Sequence, residues 1–192
     1  KGHELLFDAF KDLLASPTHP DVYLLVAGQG PWGKRYESLA PRVRVLGSLP
    51  PSQLAEFYNA IDIFVNPTMR AQGLDITLLE AMQCAKPLLA TRFSSITRSV
   101  IVGPELGYTF SPNVPALSAA LKAVLADGRD VLRRKGDACK AYASHMFDAQ
   151  KMASSYERLF LCLQDPFYCH YPLAFDQSSC NITTSTSTMQ PT

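Results

Sequence analysis

Short, largely apolar runs set between helix-period segments most limit what this chain can fold into. Val22-Tyr23-Leu24-Leu25-Val26 and Ile61 to Val65 do not alternate between polar and apolar residues. A strand with one wet face would alternate, so these runs suit strands buried on both faces, as in a parallel sheet covered by helices on either side. The order of the patterns agrees. Helices are predicted near 3–15, 33–40, 52–60, 76–84, 115–126, 129–145 and 148–163, and strands near 22–27, 43–46, 62–66, 87–91 and 107–110. Ser52, after Pro50-Pro51, starts one helix, and Gly28, Gly30 and Gly47 close strands where a ligand can approach the backbone. The expected fold is α/β: a doubly wound, Rossmann-like parallel sheet with helices on both faces.

One junction in that pattern suits an anion. Gln72-Gly73-Leu74-Asp75-Ile76-Thr77-Leu78-Leu79-Glu80-Ala81-Met82 reads as a glycine loop running into a helix. Free N–H groups and the positive dipole end at a helix start attract phosphate, and glycine admits close approach to the main chain. Asp75 sits where its carboxylate either caps the helix or lies beside that anion; capping is expected, because Asp is a strong N-cap residue. Leu78, Leu79 and Met82 share one helical face and Glu80 points to the other, which by periodicity alone makes it a solvated helix acid.

Composition narrows the function classes. The 192 residues allow one domain with a sizeable core. With 18 basic and 17 acidic residues and no basic run, nothing favours nucleic acid as a partner. No apolar run reaches the roughly 18 residues of a membrane span, and the start is not signal-like. Lys1 follows no initiator Met, so the chain is expected to be a fragment, with a further domain, targeting information or a membrane anchor upstream. Membrane association is expected only through such an anchor.

Five cysteines are too few for a disulfide scaffold, and none has zinc-ligand spacing. Cys84 and Cys139 fall in helical patterns as small buried thiols. Cys162, Cys169 and Cys180 lie close together, where a disulfide would imply an oxidising compartment. His3, His19, His145 and His170 have no acidic or cysteine partners at useful spacing and are assigned no catalytic role. Residues 164–192 change from an aromatic stretch to a Ser/Thr run without periodicity, expected to be largely disordered, with an N-glycosylation-type triplet at Asn181-Ile182-Thr183.

Several short motifs occur in a fixed order: Lys1-Gly2-His3, Val26-Ala27-Gly28-Gln29-Gly30-Pro31, Val45-Leu46-Gly47-Ser48-Leu49-Pro50, Ile63-Phe64-Val65-Asn66-Pro67, the glycine loop, and Lys86-Pro87-Leu88-Leu89-Ala90-Thr91. As an ordered set over residues 1–163 they resemble the C-terminal, donor-binding domain of retaining GT-B glycosyltransferases of the glycosyl transferases group 1, or family four, type. The resemblance implies transfer of a sugar from a nucleoside-diphosphate sugar, by preference a UDP-sugar, with no metal or other cofactor. The acceptor site would lie on an N-terminal GT-B domain. A fragment of this kind is expected to be inactive alone.

Residue by residue, the resemblance gives Lys1 the task of neutralising the departing diphosphate. It gives Gly47 and Ser48 the turn that meets the nucleobase, and Gly73, Leu74, Asp75, Ile76 and Thr77 the loop and helix start beside the diphosphate. Glu80 becomes the acid that accepts hydrogen bonds from both ribose hydroxyls, reversing its reading as a solvated acid. Gln72 stands where the family usually has a sugar-contacting glutamate, and Asp75 where it has a small residue. Both departures keep open an alternative, a non-catalytic nucleotide-binding descendant or interaction module of the same fold. The compartment stays open between the cytoplasm and a Golgi or endomembrane lumen, with the Golgi preferred.

Overall fold

The computed structural model describes residues 1–16, 21–71 and 73–169. Gln72, His19, His170, Cys180, the Asn181 triplet and the Ser/Thr run lie outside the described residues. The chain divides into two compact units, Lys1–Asp148 and Ala149–Thr192.

The first unit alternates helices and strands: α1 (His3–Leu14), β1 (Leu24–Ala27), α2 (Gly33–Glu37), β2 (Val43–Gly47), α3 (Pro51–Ala60), β3 (Phe64–Asn66), α4 (Ile76–Gln83), β4 (Leu88–Thr91), α5 (Ser94–Thr97), β5 (Gly107–Phe110) and α6 (Val114–Met146). All recorded strand pairings are parallel. The expected single sheet is divided in two, β1-β2 and β3-β4-β5, with no pairing between β1 and β3.

The apolar runs behave as buried strands should. On β4, Leu88 and Ala90 enter one core cluster while Leu89 enters the other, the period-two alternation of a strand covered on both faces. One cluster joins α1, α2, β1, β2 and the first part of α6 around Phe10, Leu13, Tyr36 and Leu117. The other joins α3, α4, β3 and the end of α6 around Tyr58, Leu78, Met82 and Cys139. Burial raises the Cys139 thiol to about 12, and its Sγ donates to the Leu106 carbonyl, so it is a packing group as expected.

The helices predicted at 115–126 and 129–145 form one 33-residue span, α6, broken at Gly128 (φ 74, ψ 175). A left-handed φ with extended ψ interrupts the helix without a Cβ penalty. Asn113 caps its start through Ala116 N–H. The predicted helix at 148–163 is α7 (Ala149–Gln164). It was expected within the first domain, yet α7 groups with the second unit, because none of its residues is buried. A disulfide joins Cys162 at its end to Cys169 in the following 3-10 turn. Among the described residues no helix is long and apolar enough to cross a membrane.

Candidate functional site at the carboxyl ends of the strands

The carboxyl end of β3 is anchored from within. Asn66 Oδ1 accepts the Thr68 N–H at 3.2 Å, and buried Thr91 donates to the Thr68 carbonyl at 2.7 Å. The turn after β3 therefore leaves the sheet at a set angle and delivers the chain to α4.

Asp75 caps α4, as the sequence predicts. Its Oδ1 accepts the Thr77 N–H at 3.2 Å and the Thr77 hydroxyl at 2.8 Å, while Asn66 Nδ2 donates to Oδ2 at 2.9 Å. Burial would raise this carboxyl, but the hydrogen bonds from Thr77 and Asn66 and the Lys1 charge outweigh it and hold the group below its ordinary value. The carboxylate is thus ionised and turned toward β3. One consequence differs from expectation: the Thr77 amide, assigned to a diphosphate, is already taken by Asp75. Ile76, which is 67% exposed, stands at the open helix end.

Glu80 is half-buried. Tyr58 of α3, only 3% exposed, donates its hydroxyl to Glu80 Oε2 at 2.8 Å. Burial first, then the hydrogen bond to Glu80, push the Tyr58 phenol above its ordinary value, so it remains a donor. The reading of Glu80 as a plain solvated acid does not survive this contact.

Lys1 enters from α1. Gly2 adopts φ 72, and a Cβ there would lie 1.8 Å from the Pro67 carbonyl oxygen. The Lys-Gly pair is therefore pressed against the turn after β3 in a way that only glycine allows. His3 sits behind it, its Nδ1 3.4 Å from the Tyr36 hydroxyl. Burial first, with the positive charge of Lys1 adding to it, holds this imidazole below its ordinary value. Sequence reasoning missed the contact because Tyr36 lies 33 positions away.

These pieces meet at one opening. Lys1, Ser48, Asp75, Ile76, Thr77 and Glu80 line a common cavity of about 1050 Å3. Gly47 is absent from its lining, and its carbonyl accepts the Gly28 N–H at 2.6 Å, tying the ends of β1 and β2 together. Gly73 and Leu74 are exposed outside the lining. Tyr58 and Asn66 join the cavity although sequence reasoning gave them no role. Their only signal was position: Asn66 ends a strand and Tyr58 follows Phe57 on a half-apolar helix.

Fold and site together define a doubly wound α/β domain with its crevice at the carboxyl ends of the strands, the place where ligands bind in this class. Within that class the chain belongs to the family described as glycosyl transferases group 1, whose family model matches residues 1–127. It is 28% identical over 169 residues to a phosphatidyl-myo-inositol mannosyltransferase of Mycobacterium tuberculosis, covering 83% of this chain and 43% of the relative. It is 26% identical over 141 residues to a GDP-mannose-dependent alpha-(1-6)-phosphatidylinositol monomannoside mannosyltransferase of Mycolicibacterium smegmatis, covering 67% of this chain and 36% of that protein. Among solved structures it resembles sucrose-phosphate synthase from Thermosynechococcus elongatus, with a TM-score of 0.69 at 26% identity, covering 84% of this chain and 43% of that one. The chain thus spans less than half the length of these relatives.

Proposed function

We propose that this chain is the donor-binding half of a retaining glycosyltransferase acting on a nucleoside-diphosphate sugar. The observation that carries the reading is the gathering of Lys1, the α4 start at Asp75–Thr77 and Glu80 around one crevice in a member of this family. In this reading Glu80, steadied by Tyr58, receives the ribose hydroxyls. Lys1 and the open α4 end stabilise the diphosphate as it departs, without a metal. Gln72 contacts the transferred sugar, and the acceptor lies on a separate N-terminal domain.

The sequence resemblance favours uridine as the base, whereas one relative is named as GDP-mannose dependent. Calorimetric titration of the protein carrying its N-terminal domain with UDP, GDP and inorganic phosphate separates the donors, and donor hydrolysis then reports catalysis. Failure of both nucleotides to bind would overturn the reading.

A second reading is favoured by one observation: Asp75 holds the Thr77 amide that a diphosphate would use. A non-catalytic descendant would bind nucleotide without hydrolysis, and Gln72→Glu would leave it inactive. In the enzyme, Gln72→Glu changes turnover or sugar preference with little effect on nucleotide affinity. As to compartment, the Cys162–Cys169 bond supports an oxidising lumen such as the Golgi. Glycosidase-sensitive mass at Asn181, abolished by Asn181→Gln, would test that placement.

A further inference from the structure

Charge is lopsided at the lip of the crevice. Between Asp62 and Glu105 the sequence holds two acids, Asp75 and Glu80, against the bases Arg70, Lys86, Arg92 and Arg98. Both acids are engaged, Asp75 by Thr77 and Asn66 and Glu80 by Tyr58. Arg70 and Arg92 are exposed, and among the described residues neither has an acidic partner. Topology brings these two together. β3 and β4 run parallel with Asn66 opposite Ala90, at the spacing of about 4.8 Å that neighbouring strands keep. Thr91 then donates to the Thr68 carbonyl at 2.7 Å, so Arg92 leaves β4 beside the turn that carries Arg70. On its other side Arg92 is tied to β5, its amide donating to the Phe110 carbonyl at 2.7 Å and its Nε to Thr109 Oγ1 at 3.2 Å. The side-chain bond uses one of five guanidinium donors.

The donor pose brings its sugar to this lip. Glu80, assigned to the ribose, lies about one helical turn from Ile76 at the α4 start, assigned with Lys1 to the diphosphate. Continued outward, that line carries the sugar past the α4 start to the segment that Arg70 begins. Gly2 is pressed onto the same turn, where a Cβ would lie 1.8 Å from the Pro67 oxygen and 3.3 Å from Met69 Cγ, so Lys1 and Arg70 flank one contact. Two guanidinium groups on the sugar side suit a carboxylate, because each presents a planar fork of N–H donors that matches two oxygens. Gln72 agrees. Where the resembled family carries a glutamate against the sugar, this chain has an amide, which donates to a carboxylate instead of repelling it. A neutral hexose accounts for neither the loss of that acid nor the paired arginines; a sugar acid accounts for both.

We propose that the donor is a nucleoside-diphosphate uronic acid, its sugar carboxylate held by Arg70 and Arg92 beside Gln72. The inference rests on the donor reading above and adds the chemical class of the transferred sugar. Arg70 and Arg92 serve binding here, while the departing diphosphate stays with Lys1 and the α4 end. Asp75 does not oppose the sugar carboxylate, because its own charge is turned to Asn66 and Thr77 and balanced by Lys1.

The test titrates the protein carrying its N-terminal domain with UDP-glucuronate and UDP-galacturonate, each against its neutral hexose, and with UDP alone. GDP-mannuronate, GDP-mannose and GDP form the parallel set if guanine proves to be the base. One uronate should bind about 10-fold tighter than the neutral hexose on the same nucleotide, and the margin should shrink as salt rises. Arg70→Gln and Arg92→Gln should each cut that preference and the double variant should abolish it, with affinity for the sugar-free nucleotide close to that of the parent. Gln72→Glu should weaken the uronate more than the hexose. A general loss of nucleotide affinity and melting temperature in the arginine variants, with the uronate-to-hexose ratio unchanged, would make the arginines structural and overturn the proposal. Equal binding of uronate and hexose by the parent protein overturns it too. If neither UDP nor GDP binds, the donor reading fails and takes this inference with it; nucleotide binding without preference for a uronate overturns this inference alone.

Discussion

The Tyr58 hydroxyl donates to Glu80 Oε2 at 2.8 Å, joining α3 to the exposed side of α4 through a phenol that burial keeps protonated. Both residues line the cavity, and the carboxylate keeps acceptor capacity beyond the one hydrogen bond that Tyr58 makes.

Glu80→Ala in the protein with its N-terminal domain should weaken nucleotide binding by about 2–4 kcal/mol, roughly 30- to 1000-fold, while leaving the fold intact. Tyr58→Phe should weaken it less, because the acid stays but its aim loosens. Calorimetry on both variants checks the order. Unchanged affinity in Glu80→Ala would remove Glu80 from the site.

Asp75→Ala should lower stability by about 1–2 kcal/mol, the upper part of that range reflecting Asn66 as well as the lost cap. Asp75→Gly should cost only a few tenths through the cap itself. Nucleotide affinity should stay almost flat in both. A marked gain in affinity without destabilisation would mean that the carboxylate repels a diphosphate, as about 4 kcal/mol between unit charges at 4 Å and an effective dielectric near 20 allows.

Acid should reveal two groups in different windows. The Asp75 carboxyl binds protons less readily in the fold than at its ordinary 3.8. Its contribution is full above that value and is lost as pH falls through the lower, folded value. His3 is also lowered from 6.5. Between its folded value and 6.5 the unfolded chain binds more protons, so stability is full above 6.5 and declines as pH falls below it. Melting curves from pH 7.5 to 5 should show this slope in the parent protein, and His3→Gln should flatten it. An unchanged slope in the variant would assign it elsewhere.

Gly2→Ala places a methyl against the Pro67 carbonyl at a left-handed φ. The backbone strain alone amounts to about 1–2 kcal/mol, and the collision must be relieved by moving Lys1 or the turn after β3. Melting temperature should fall, and nucleotide affinity should fall with it. A variant with parent-like values for both would show that the approach of α1 to this turn is loose.

Much of this architecture is legible in the sequence because its causes are local. Val22 to Val26 and Ile61 to Val65 contain strands because, Asp62 apart, they are apolar without alternation, although β1 begins at Leu24 and β3 at Phe64. Asp75 reads as a cap because a carboxylate before Ile76-Thr77 finds its partners within two residues. Glu80 is the opposite case. Helical periodicity sent it to solvent, and the resemblance alone gave it a role; the tyrosine that holds it lies 22 positions away on another helix. The gap between β1 and β3 was illegible for a related reason, since strand order is a property of crossovers and not of any window of residues. The grouping of α7 apart from the first unit was hidden too. Met152, Tyr156 and Phe160 look like a core stripe at helical spacing but are 59%, 56% and 61% exposed.

The break at Gly128 turns α6 into a yoke. Leu117, Leu121 and Val124 before the break and Leu132 just after it belong to the layer shared with α1; further along, Cys139 and Ala143 belong to the layer shared with α4. Lys1 rides at the start of α1, and Asp75 and Glu80 ride on α4, so the groups that frame the crevice are harnessed to a single rod. Val124, Leu125, Gly128, Arg129 and Leu132 of the same helix line the cavity with Lys1, Asp75 and Glu80, so one flexed helix packs on both α1 and α4 and closes the wall between them.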